Sequence, residues 1–131
     1  MESKIKILLQ HILESIETLE AHLKGLSEEQ FMADVLVQDG VEKRLANIGE
    51  AVANLPNDFV MSNEQIPWRK ISGLRNIIIH EYFGVDLVLI WNIAKQDIPV
   101  LKIFVENSLK TEMSLNRFEP QKKSTKTRKI S

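Results

Sequence analysis

The chain predicts an all-α fold, and three observations carry that prediction. Apolar residues recur at three- and four-residue spacing through most of the first 110 positions. Helix caps and stops punctuate this spacing where turns would fall. Nowhere does the sequence alternate apolar and polar residues as a half-buried strand would. The expected architecture is an antiparallel bundle of four to five helices joined by short connections.

The first helix is read from Ile5, Leu8, Leu9, Ile12, Ile16, Leu19 and Leu23, with Gly25 as its stop. Ser27 to Gln30 forms a capping box that opens a second helix. Its stripe runs through Phe31, Val35, Val41, Leu45, Ile48, Val52 and Leu55 to Pro56, interrupted by Gln38. Gly40 and Gly49 lie inside it, where each costs about 1 kcal/mol relative to Ala. Such interior glycines mark a face where another helix comes close. Residues 56–67, rich in Pro, Asn, Asp and Ser, read as a connection. Pro67 suits the start of a third helix, Trp68 to His80. Asp86 can cap a fourth, which Pro99 should break or kink before a shorter piece continues through Leu109.

A chain of 131 residues makes one domain. Its helical part is expected over residues 1–112 and a basic, disordered tail over 113–131. From Arg117 onward six basic residues face one acid, which leaves 11 basic and 17 acidic residues before it. The body therefore carries -6 and the tail +5. The tail is read as a solvated end, or as an electrostatic attractor for nucleic acid or an acidic partner. There is no cysteine, so disulfides and thiolate metal sites are excluded. The N-terminus lacks a signal-peptide pattern and no apolar run is long enough to span a bilayer, so a cytoplasmic protein is expected.

The candidate site is the run from Arg75 to Tyr82. It places a guanidinium, a carboxamide (Asn76), an imidazole (His80) and a phenol within eight residues of an otherwise apolar segment. Such groups hold, polarise and move protons on a phosphate ester. RNA cleavage without a metal needs a base for the ribose 2′-OH and an acid for the departing 5′-oxygen. His serves either role near neutral pH, and the planar Arg fork neutralises charge on phosphoryl oxygens. No metal-binding or phosphate-loop motif competes with this run. Yet Arg75 and His80 lie about 140° apart around an ideal helix. A working site needs the helix to unwind near His80, or a second copy of the motif supplied by a two-fold dimer. The commoner use of such residues is an Arg paired with a Glu and a His satisfied at a helix end. Neither His11 nor His22 is assigned a catalytic role, and Trp68 and Trp91 are read as core or interface anchors.

The run resembles the R-x4-H-x-Y signature of HEPN-domain toxins of the HepT type. Arg44 to Ala51 is similar to that family's second-helix block and Ile66 to Ile71 to the lead-in of the motif. Phe83 to Asp86, Trp91 and Asp97 to Leu101 are similar to its last helix, so that residues 4–110 are covered. The resemblance implies a HEPN bundle, usually homodimeric, encoded in prokaryotes beside a nucleotidyltransferase antitoxin. It implies a metal-independent endoribonuclease with no cofactor. Arg75 would stabilise the phosphoryl transition state, Asn76 would support it, and His80 would be general acid or base. It also implies Tyr82 as the acceptor when the antitoxin transfers AMP from ATP, which would repel and occlude RNA. The alternative within the same family is a non-catalytic HEPN partner that binds substrate or nucleotide for a minimal nucleotidyltransferase.

Overall fold

The computed structural model describes residues 2–80 and 84–118, with side chains placed through residue 111. The described residues form helices and no strand, in the order α1 (Ser3–Leu23), α2 (Glu28–Met32), α3 (Val35–Ala53), α4 (Asn57–Met61), α5 (Trp68–Ser72), α6 (Leu74–His80), α7 (Leu87–Asn92) and α8 (Ile98–Phe118). A π-helical turn, Ile93–Asp97, joins α7 to α8 without a gap. Of the tail expected over residues 113–131, residues 113–118 continue α8, and residues 119–131, like Tyr82, lie outside the described residues.

Helix α1 buries Leu9, Ile12, Ile16, Leu19 and Leu23, the stripe its spacing predicts. It packs along α3 and α8. The ring of His22 meets Gly40 near one end of the α1/α3 pair, and Leu8 shares a groove with Asn54 near the other, so the two helices run antiparallel. Glu20 hydrogen-bonds Lys102 at 2.8 Å, while Leu13 lines a groove with Leu109, which fixes α8 antiparallel to α1 as well. Gly25 turns the chain at φ +76°, a left-handed conformation that suits glycine. Ser27 then closes the expected capping box: its Oγ accepts from Gln30 N at 3.1 Å, and Gln30 Oε1 accepts from Ser27 N at 2.9 Å.

The expected single helix from residue 27 to 55 is two helices. The chain leaves α2 at Ala33, and Asp34, in an extended conformation, caps α3 by accepting from Val37 N at 3.1 Å. Gln38, which interrupts the apolar stripe, explains how the break is tolerated. Its buried Nε2 donates to the carbonyls of Phe31 at 2.8 Å and Met32 at 3.1 Å, adding to the bond that Phe31 O accepts from Asp34 N at 3.3 Å and tying α3 to the end of α2. Val35, counted in the stripe, is instead 66% exposed because a new helix begins there.

The 56–67 connection contains α4, whose Phe59 packs against Trp68 and Phe104. Trp68 is buried and donates its Nε1 hydrogen to Asn63 O at 2.9 Å, while Trp91 packs tilted against Phe31 with ring centroids 5.4 Å apart. Both tryptophans are core anchors. The third helix of the sequence reading bends at Gly73 into α5 and α6. Asp86 caps α7 through Val88 N and Leu89 N. Pro99 does not end the last helix; the preceding turn widens, with Ile98 N donating to Ile93 O. A proline lacks the N–H for a regular helical bond, and a wide turn ahead of it is one way a helix absorbs this.

Candidate active site

Helix α6 is seven residues long and buries only Leu74. Its hold on the bundle comes from α3, where Gly49 permits an unusually close approach. A Cβ at Gly49 would stand 2.9 Å from Ile71 O and 3.3 Å from Arg75 N. The expectation of a tight helix contact at this glycine is met, and the contact falls directly on the segment that carries the motif. The close approach sets Arg75 beside the next residue of α3, and its Nε forms an ion pair with Glu50 Oε1 at 2.7 Å. Glu50 is steadied in turn by Asn54, whose Nδ2 donates to Glu50 O at 2.8 Å and lies 3.4 Å from Oε2.

Arg75, Asn76 and His80 are all exposed, and α6 stays helical through His80. The helix therefore does not unwind before the imidazole. Five residues of regular helix separate Arg75 from His80 by about 7.5 Å along the axis and about 140° around it. Within one chain the structure brings Arg75 to Glu50, and does not bring Arg75 and His80 together. Two further motif residues, Ile77 at 40% and Ile79 at 52% exposure, and Val88 at 52% on α7, also face outward. The segment thus presents polar groups and large aliphatic side chains side by side on its free surface.

Glu50 was not singled out as a site residue from sequence, although it lies in the Arg44–Ala51 block. Its signal is positional: it follows the glycine that lets α6 approach. Glu50 also borders a groove of about 350 Å³ between α1 and α3, whose polar lining is His11, Glu14, Ser15, Asn47, Glu50 and Asn54. These residues are the polar stripes of two antiparallel helices, spaced three and four apart beside the apolar seam.

The site thus belongs to an all-α helical bundle that displays an Arg–Asn pair and a His on one short, exposed helix. Comparison with known proteins narrows the class. A model of HepT-like ribonucleases matches residues 12–108, and the chain belongs to that family. It is 41% identical over 102 residues to a protein of Thermococcus cleftensis named "Probable ribonuclease HepT", covering 78% of this chain and 93% of that one. A protein of Caldanaerobacter subterraneus named a "Putative RNase" is 40% identical over 104 residues, covering 79% and 93%. A Methanocaldococcus jannaschii protein named a "Gamma-glutamylcyclotransferase and putative RNase" is 46% identical over 102 residues. That match covers 78% of this chain but only 46% of the longer relative, so the chain spans about half of that protein's length. No solved structure gives a significant match.

Proposed function

We propose that this chain is the toxin of a toxin–antitoxin pair, a metal-independent endoribonuclease that works as a homodimer. The observation that carries the reading is the display of Arg75, Asn76 and His80 on the free surface of α6, beside exposed Ile77 and Ile79. Membership of the HepT-like ribonuclease family and the RNase names of its relatives support it. An isologous contact across the aliphatic surface of α6 sets one copy of the motif against another, which answers the divergence of Arg75 and His80 within one chain. The ribose 2′-oxygen attacks phosphorus as the P–O5′ bond breaks, leaving a 2′,3′-cyclic phosphate and a 5′-hydroxyl. One His80 takes the 2′-OH proton and the other protonates the 5′-oxygen, while Arg75 neutralises the phosphoryl oxygens and Asn76 helps to orient them.

The partner in this reading is a nucleotidyltransferase antitoxin. It silences the toxin by transferring AMP from ATP to the phenol oxygen of Tyr82, with release of pyrophosphate. The bulk and negative charge then repel RNA from the neighbouring site. Expression of the chain alone is expected to arrest growth, and His80→Ala to relieve the arrest; a fully toxic His80→Ala protein sinks the assignment. Purified protein should cut RNA in excess chelator. Binding of RNA without any cleavage would instead favour the non-catalytic partner role. Co-expression with the antitoxin should add one AMP mass to the wild type and none to Tyr82→Phe.

A further inference from the structure

The groove between α1 and α3 is continuous with the motif through Glu50, which both lines the groove and pairs with Arg75. Its volume of about 350 Å³ falls in the range of small-ligand clefts, roughly 300–1,000 Å³. Asn54 and Glu50 are already engaged with each other. The side chains of His11, Glu14, Ser15 and Asn47 add further polar atoms to the lining. We infer that this groove is a nucleobase subsite that selects bases carrying an exocyclic amino group next to the phosphate held at Arg75. The inference rests on the RNA-directed reading of the motif and adds a base preference to it.

The chemistry of the lining decides the ligand class. Two carboxylates, Glu14 and Glu50, repel a phosphate, so the groove cannot serve the backbone. Carboxylates accept from N–H donors, and the amino groups of guanine, adenine and cytosine supply them, as carboxylates accept from cytosine N4 in base readout. The carboxamide of Asn47 offers one donor and one acceptor together, the pattern that pairs with a base edge. Uracil carries two carbonyl acceptors and one ring N–H, so it meets this acceptor-rich wall least well. Arg75 contacts Glu50 but does not line the groove, which gives the nucleotide its polarity: phosphate at α6, base between α1 and α3.

The test uses the full chain carrying His80→Ala, so that RNA is not consumed, and fluorescein-labelled RNA octamers. One octamer is all uridine and three carry a single central G, A or C; anisotropy gives the affinities. At least one amino-bearing octamer should bind about tenfold tighter than the all-uridine one, as a good base contact provides. Adding Glu14→Gln or Asn47→Ala should bring that ratio close to one. Glu14 is exposed, and melting curves of the variants check that the fold is intact. Equal affinity for all four octamers overturns the subsite, as does a preference that survives both substitutions. Either result leaves the nuclease reading standing if the parent protein cuts RNA. A preference lost in the variants of a protein that cuts no RNA overturns the nuclease reading and keeps the subsite. No binding to any octamer overturns the subsite too.

Discussion

At the scale of single residues, the chemistry turns on what each charged group is free to do. Arg75 stands half-exposed against Glu50, and exposed ion pairs contribute only about 0–1 kcal/mol. The pair is therefore weak enough for an incoming phosphate to compete with it. Arg75→Lys keeps the charge but loses the planar fork. Cleavage should fall by about 10²-fold or more, the scale of losing one oriented transition-state donor; a loss under threefold would show that a point charge suffices. Glu42 gives a separate prediction about stability. Burial, and secondarily the charge of Asp39, raise its pKa above the ordinary 4.5. A raised carboxyl pKa means that the folded state favours the protonated form. That contribution is fully present below the unfolded value and is lost as pH rises through the folded one. Glu42→Gln should therefore raise the melting temperature at pH 7 and change it little at pH 4. An equal shift at both pH values would contradict this origin.

At the scale of elements, two glycines in one helix make opposite predictions. Both would gain about 1 kcal/mol of helix propensity as alanine. At Gly49 the new methyl meets backbone atoms, Ile71 O at 2.9 Å, which cannot step aside. At Gly40 it meets only the exposed His22 ring at 3.1 Å, which can rotate away. Gly49→Ala should destabilise by about 1–2 kcal/mol net of propensity, within the usual range for overpacking. Gly40→Ala should be neutral or stabilising. Urea midpoints at constant slope would measure both, and equal effects would remove the argument from close approach. The positions of these elements were legible in sequence wherever a cap announced them: Ser27, Gly25 and Asp86 act as their residue types predict. The break between α2 and α3 was missed because Asp34 reads as one more polar position on a helix. Its role becomes visible only once Gln38 is seen bonding the carbonyls of α2. Likewise Pro99 announced an irregularity but not its form, since whether a helix ends or widens depends on the packing on either side.

At the scale of the whole molecule, the proposed reading makes activity a property of the assembly, because Arg75 and His80 diverge on one helix. If the site forms across a two-fold, specific cleavage activity should fall on dilution, in step with the loss of dimer seen by sedimentation. Activity per chain that stays constant down to concentrations where only monomer sediments would place the chemistry within one chain. The acidic body adds a second consequence: RNA must approach where positive charge is gathered, so binding should weaken steeply with salt.

The sequence by itself determined the all-α class, most of the buried stripes, the capped helix starts and the motif segment. Each of these follows from local chemistry: the helical period of apolar residues, hydrogen bonds spanning three or four residues, and the conformational freedom of glycine. Only the tertiary structure decided that Gly49 brings α6 against α3, that Glu50 is the carboxylate beside Arg75, and that polar faces of α1 and α3 enclose a groove. Those facts depend on residues far apart in the sequence meeting across helix faces. Periodicity says which face of a helix is buried, but not which partner covers it or what polar groups meet along its edge.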